Sequence, residues 1–237
     1  MGAAACGDRA ELAVEIGPGR GALTEILLKR ADRVAAIELD PELAAHIRER
    51  WREVELLEGN ALEVDWSRWG AGILTGNLPY YIATPIISRY VRAPGLLRSA
   101  VFLIQKEVAE RITAKPGTRD YGYFSVECQL QARAEYLFTV APGAFRPPPK
   151  VDSAVIRLTP LAEKPADMDG LLSFVSICFR QKRKTLRNNL RGAYDNPPET
   201  AQRAEELAVA QFVELYRELG KPKGSAQHDP RLFDRAE

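Results

Sequence analysis

What most constrains this chain is a repeated pattern: a short apolar run, a small or polar tip, then a stretch with helical spacing. The apolar runs are Leu12–Ile16, Arg33–Ile37, Val54–Leu57, Gly72–Leu74 and Ala100–Gln105. Helical stretches carry Leu23, Ile26 and Leu27 on one face, then cover Pro41–Trp51, Ile82–Val91 and Lys106–Ile112. Five strand–helix units predict an α/β fold with a mostly parallel sheet and helices on both faces. Further strands are expected at Glu135–Val140 and Ala154–Leu158, with a helix at Ser125–Ala132 between polar loops. One such loop, Pro116–Tyr123, contains Tyr121-Gly122-Tyr123. Open α/β sheets bind ligands at the carboxyl ends of their strands, so the strand tips are where function is sought.

The tip after Gly72–Leu74 is Thr75-Gly76-Asn77-Leu78-Pro79-Tyr80-Tyr81. Asn77 offers a side-chain carbonyl. Leu78 precedes a proline and is pushed towards extended geometry, which aims its own carbonyl outward. Tyr80 offers a flat face. Together they suit a planar base with an exocyclic amine. Asn and Pro also build ordinary strand-to-helix turns, and the motif alone leaves the two readings level.

The other tips weigh in. Glu15-Ile16-Gly17-Pro18-Gly19-Arg20-Gly21 joins the first strand to a helix, where backbone can approach a ligand beside a positive helix end. Glu38 ends the second strand about twenty residues after the glycines, a spacing that suits ribose hydroxyls. Asp40-Pro41 reads as a helix cap with proline at the first helical position, which leaves Glu38 free. Gly59-Asn60-Ala61 ends the third strand, where a polar side chain can meet the edge of an adenine; alone, it reads as a loop.

Composition bounds the rest. The 237 residues hold 33 basic and 32 acidic side chains, a net charge of +1, so charge must be read locally. No apolar run approaches membrane-spanning length, and no signal-peptide pattern is present. Three scattered cysteines fit neither a disulfide framework nor a zinc site and suggest a reducing cytoplasm. His46 and His228 have no partner at ligand spacing, and His46 is read on a helix surface.

Composition shifts after Pro160. Residues 1–160 are read as the α/β domain and 161–237 as a helical one, with a polar linker at Leu161–Gly170. From Leu171 the chain reads as helical. Arg180, Arg183, Lys184, Arg187 and Arg191 then share one helical face, with Phe179, Leu186 and Leu190 on the adjoining face and Lys182 nearby. A phosphate-ready stripe beside an apolar anchor favours RNA contact over a merely solvated face. A last helix near Glu205–Leu219 carries Phe212, Leu215, Tyr216 and Leu219 on one side, and Lys221–Glu237 reads as a loose tail. Upstream, Phe145-Arg146-Pro147-Pro148-Pro149-Lys150 is stiffened by its prolines. It either holds Phe145 out as a platform with Arg146 and Lys150 ready for phosphate, or is a rigid connector with Phe145 in the core.

Six segments in order resemble the bacterial small-subunit (16S) rRNA adenine N6-dimethyltransferase family. They are Val14–Gly19, Ile37–Asp40, Gly76–Tyr80, Gln105–Val108, Phe145–Ser153 and Gln181–Asn188. The resemblance implies a class I methyltransferase fold with a small helical domain, S-adenosyl-L-methionine as methyl donor, and action as a monomer on rRNA of the immature 30S subunit. It implies that Gly17 packs against the methionine part of the cofactor, Glu38 holds the ribose, and Asn60 and Ala61 flank the adenine. Asn77 would touch both cofactor and target. Asn77 and the Leu78 carbonyl, set by Pro79, would accept from the target amine while Tyr80 and Phe145 sandwich the base. This chain departs from the family in two places. The basic segment with Gln-Asn-Phe-Leu that precedes the glycine turn in the family is missing, and Asn60 stands where the family has Asp; both bear on cofactor affinity. The alternatives are a non-catalytic ribosome-assembly factor and a large-subunit rRNA methyltransferase of the resistance type; a mitochondrial transcription factor is a more distant one.

Overall fold

The computed structural model describes residues 1–93 and 97–223. The chain divides into two compact units. The first takes in Met1–Thr113 and Gln131–Leu161; the second takes in Ala114–Leu130 and the chain from Ala162 onward.

The first unit is built on seven strands: β1 Ala10–Ile16, β2 Ala31–Glu38, β3 Glu55–Glu58, β4 Gly72–Asn77, β5 Leu97–Gln105, β6 Ala132–Val140 and β7 Ser153–Pro160. Their order in the sheet is β3-β2-β1-β4-β5-β7-β6. Pairings from β3 across to β5 are parallel, and β7 runs antiparallel to both β5 and β6. A parallel strand covered on both faces needs a continuous apolar run. Ala13-Val14, Ala35-Ala36 and Ala100-Val101-Phe102 are such runs, each fully buried. Chain order reverses between β1 and β4, and this is where open α/β sheets leave a crevice.

Among the described residues of this unit are five α-helices: α1 Gly2–Cys6, α2 Thr24–Leu28, α3 Pro41–Arg50, α4 Tyr80–Arg92 and α5 Lys106–Thr113. The Asp40 side chain caps α3, accepting from the Glu42 and Leu43 N–H groups at 2.8 and 3.2 Å. The first segment, mostly small or polar in sequence, forms α1, and its small residues pack closely: a Cβ on Gly2 would meet Ile26 at 2.3 Å. Ile26 was expected on the inner face of its helix. It is 43% exposed, because α2 has only 5 residues and buries Thr24 and Leu27 instead. His46 is half-buried on α3, edge-on to Trp51.

The second unit contains α6 Tyr123–Gln129, α7 Met168–Cys178, α8 Leu186–Leu190 and α9 Val209–Leu219. It includes residues 114–130, which sequence reading placed in the α/β domain. The reason is packing: Tyr121, Tyr123, Val126 and Leu130 share one core with Leu171, Phe174, Leu186, Leu190 and Phe212. The loop read as polar thus buries Tyr121, at 1% exposure, with its hydroxyl lacking a hydrogen-bond partner. The expected basic helical face does not exist. Residues 179–185 form turns between α7 and α8, so Arg180–Arg191 is mostly loop.

All three cysteines are free and buried, and no helix among the described residues is long and apolar enough to cross a membrane. His228 and residues 224–237 of the expected tail lie outside the described residues.

Gly76 shows how tightly β4 lies against β1. A Cβ there would sit 2.6 Å from the Ile16 backbone oxygen. Gly76→Ala is expected to lower unfolding free energy by about 1–3 kcal/mol, the usual range for overpacking a well-filled core. Urea denaturation measures this, and an unchanged midpoint would show that the strands can separate freely.

Candidate functional site

The carboxyl ends of the parallel strands bring the predicted tips together. The Gly17 N–H donates to the Ile37 carbonyl at 2.9 Å, and the Gly59 N–H donates to the Glu38 carbonyl at 2.8 Å. Asn77, last in β4, pairs with Leu103, and Gln105, last in β5, pairs with Ser153 at the start of β7. Ser153 also pairs with Val140, the last residue of β6. The loop carrying Phe145, Arg146 and Lys150 therefore leaves the sheet at the edge where Asn77 stands. Five of the six resembling segments meet there; Gln181–Asn188 belongs to the second unit.

Gly17 and Gly19 have φ of +66° and +57°, which disfavour any residue with a Cβ. A Cβ built on either would meet nothing within 4 Å, so the turn is open on that side. It closes through the Gly21 N–H to the Pro18 carbonyl at 2.9 Å. The following helix starts only at Thr24 and is too short for its dipole to matter, so exposed backbone must make any ligand contact.

Glu38 is not free, as the capping argument implied. It is 6% exposed. Its Oε1 accepts from the Leu39 and Asp40 N–H groups at 2.9 and 3.0 Å, and its Oε2 from the Gly19 N–H at 3.0 Å. This holds the carboxylate in one orientation and leaves lone-pair capacity on Oε2 for a hydroxyl donor.

Asn60 is also engaged locally. Its Oδ1 accepts from the Leu62 N–H at 3.0 Å and its Nδ2 donates to Glu63 at 3.0 Å. A backbone donor at Oδ1 settles which end of the amide is oxygen, so this side chain closes its own turn. The neighbouring Ala61 is buried, yet its N–H donates to no group among the described residues. A buried, unpaired backbone donor is costly unless a ligand accepts from it.

At the β4 tip, Leu78 is 1% exposed and its N–H donates to the Leu103 carbonyl at 3.0 Å. Its carbonyl accepts from nothing among the described residues, and the exposed Asn77 amide makes no hydrogen bond there. Two acceptors thus stand side by side, uncommitted. Pro79 caps α4, taking the Ile82 and Ala83 N–H groups on its carbonyl at 3.0 and 3.1 Å. Tyr80 is 41% exposed at the first helical position. Phe145 is half-buried against the core cluster that holds Val101, Leu103 and Val155, and so falls between the platform and the buried connector.

In the second unit, Arg180, Lys182, Arg183, Lys184 and Arg191 are exposed. Arg187 is half-buried and paired with Glu199 at 2.6 Å, which already neutralises it. Sequence reasoning missed Asn189. Its buried amide accepts from the Gln181 N–H at 3.1 Å and donates to the Cys178 and Gln181 carbonyls at 2.9 and 3.2 Å. That clamp shapes the basic loop.

Glu15 was also missed, although an acid inside Ala13-Val14-Glu15-Ile16 is a signal in itself. It is 2% exposed, and Thr24 Oγ1 donates to its Oε2 at 2.6 Å. Burial pushes its carboxyl up to about 7; the Thr24 hydrogen bond opposes this and the Glu38 charge adds to it. An acid so placed gains most when a cation arrives. The folded value lies above the unfolded one. The carboxyl's contribution to stability is therefore complete below about pH 4.5 and is lost as pH rises through about 7. Relative to Glu15→Gln, the wild type should lose on the order of 3 kcal/mol across that window. Urea denaturation at stepped pH checks this, and a difference independent of pH would mean the carboxyl is ionised throughout.

The model of the family described as ribosomal RNA adenine dimethylase matches residues 10–219. The chain is 46% identical over 231 residues to a ribosomal RNA small subunit methyltransferase A from Acidobacterium capsulatum, covering 89% of this chain and 82% of that one. A protein of the same name from Chlorobaculum parvum is 45% identical over 228 residues, 93% of this chain and 83% of that one. Among solved structures, a dimethyladenosine transferase from Plasmodium falciparum superposes with a TM-score of 0.81 at 25% identity, covering 93% of this chain and 95% of that one. The 23S rRNA methyltransferase ErmE gives a TM-score of 0.74 at 26% identity, covering 93% and 96%. With the family model spanning most of its length and relatives this similar, the chain belongs to the ribosomal RNA adenine dimethylase family.

Proposed function

We propose that this protein is an rRNA adenine N6-dimethyltransferase that uses S-adenosyl-L-methionine and acts on adenosines near the 3′ end of 16S rRNA in the immature small subunit. The observation that carries this reading is the pair of uncommitted acceptors, Asn77 and the Leu78 carbonyl, at the β4 tip beside Tyr80. Membership of the family and the names of the relatives point to the same chemistry.

The residues present fit the cofactor. The open Gly17–Gly19 turn suits its methionine end, the oriented Glu38 carboxylate suits the ribose, and the unpaired Ala61 N–H suits an adenine ring nitrogen. When bound, the cofactor supplies a methyl group already activated on a sulfonium. The protein's task is then mostly positioning. An adenine amine is a poor nucleophile because its lone pair feeds the ring. Asn77 and Leu78 accept both of its N–H bonds and turn the nitrogen towards tetrahedral geometry, which frees the lone pair. Tyr80 and Phe145 hold the base between them. Extruding a base from its stack costs a few kcal/mol, and aromatic stacking returns about 1–3 kcal/mol per base. The exposed basic loop from Arg180 to Lys184 supplies phosphate contacts, as do Arg146 and Lys150, and the enzyme works as a monomer. ErmE's similarity favours a large-subunit substrate as the second reading; the identities of 45–46% to small-subunit enzymes favour the first.

The test is methyl transfer to small subunits lacking the modification, read by nucleoside mass spectrometry, with large subunits in parallel. Dimethyladenosine on the small subunit is the expected product. Product on large subunits alone favours the second reading, and binding without product favours an assembly factor. Tyr80→Ala should lower turnover by roughly 5- to 150-fold, the worth of one stacked base, with little change in cofactor affinity. Equal loss of both would remove Tyr80 from the target site.

A further inference from the structure

Helix α4 begins at the Asn77–Tyr80 motif and ends against another loop of the same unit. There the Arg89 guanidinium donates from Nη1 to the Ala61 carbonyl at 2.7 Å and from Nη2 to the Val64 carbonyl at 2.5 Å. The same guanidinium lies 4.5 Å from the centre of the Trp66 ring. Trp66 in turn donates from Nε1 to the Ala61 carbonyl at 3.1 Å. The Ala61 oxygen thus has both lone pairs occupied, one by a cation and one by an indole. Asp65 caps the short helical turn at Trp66–Trp69 through the Ser67 N–H at 2.9 Å, which steadies the indole.

The peptide before it is held equally firmly. The Asn60 carbonyl accepts from the Glu63 and Val64 N–H groups at 2.9 and 3.1 Å. In a trans peptide the N–H points opposite to the carbonyl. The Ala61 N–H therefore points away from the turn, and it is the donor with no partner among the described residues. A surface arginine normally turns its charge to water or to an acid. This one commits its fork to two backbone carbonyls of a single loop, a geometry that the single ammonium of lysine does not reproduce.

We propose that Arg89 is a positioning residue for the adenine end of the cofactor: with Trp66 it fixes the peptide that follows Ala61, holding in place the turn whose preceding peptide presents the Ala61 N–H to adenine, and ties that loop to the helix carrying Asn77 and Tyr80. This rests on the reading of Asn60 and Ala61 as adenine neighbours given above. Arg89 touches no reacting atom in this role. Its effect falls on cofactor recognition, not on the methyl-transfer step.

Calorimetric titration with S-adenosylhomocysteine and with S-inosylhomocysteine separates the possibilities. The inosine ring bears a hydrogen on N1 where adenine has a lone pair, so an Ala61 N–H aimed at that nitrogen rejects it. The wild type is expected to prefer the adenosyl ligand by at least about 30-fold, on the pattern of sites built around a hydrogen bond. Arg89→Lys is expected to weaken the adenosyl ligand by about 10-fold, leave the inosyl ligand nearly unchanged, and so narrow the preference. In turnover, KM for the cofactor rises while kcat at saturating cofactor stays within about two-fold. Trp66→Phe, which keeps an aromatic ring beside Arg89 and removes the indole donor, should shift the preference in the same direction by less. Arg89 is overturned as a positioning residue if the wild type discriminates and Arg89→Lys discriminates as well. It is overturned as well if both ligands weaken equally in both variants, the mark of a structural role. A wild type that binds both ligands alike overturns the adenine site itself, and the role of Arg89 with it.

Discussion

The candidate site depends on the parallel pairing of β4 with β1. Parallel neighbours cannot be joined by a tight turn, so the chain runs outward through β2 and β3 before it returns to β4. The return places the Asn77 tip beside the glycine turn that follows β1. Register there is enforced sterically, since Gly76 packs against the Ile16 backbone with no room for a side chain. A one-residue slip would exchange Asn77 for a buried neighbour and turn every alternate side chain to the wrong face.

Electrostatics then shape what the edge can hold. Glu38 collects three backbone N–H groups, which fix its carboxylate in one orientation. Glu15 lies deeper and relies on Thr24, so burial dominates and its proton is held more tightly. Of these two acids, Glu38 is oriented for hydroxyl donors, and Glu15, raised by burial, is drawn towards its charged form when a cation comes near. Such an edge suits a ligand that carries positive charge and a ribose. The RNA-facing groups are separate in kind: Arg146 and Lys150 stand on a proline-stiffened loop, and Arg180 to Lys184 on a loop clamped by Asn189.

Some of this is legible in the sequence. Four of the five apolar runs ended within one residue of the expected strand end, while β4 runs three residues further to Asn77, and Asp40-Pro41 capped its helix as its chemistry requires. What stayed hidden depended on partners distant in sequence. Tyr121 reads as a loop residue until Phe179 lies 6.3 Å away. Arg180–Arg191 has helical spacing, yet Thr185 caps a new helix inside it, accepting from the Asn188 N–H at 3.3 Å. Asn60 looked like a group facing a ligand, and its amide was consumed by its own turn.

Sequence alone therefore determined the succession of strands, the mostly parallel sheet and the chemical types gathered at its tips, because periodicity and turn chemistry act over a few residues. Tertiary structure decided which of those groups remain available. Asn77 and the Leu78 carbonyl stay uncommitted, Glu38 is held by the glycine turn, Arg187 is neutralised by Glu199, and Arg89 reaches back 28 positions to the Ala61 carbonyl. Availability is a matter of hydrogen-bond accounting across long sequence separations, and only the folded chain brings both sides of that account together.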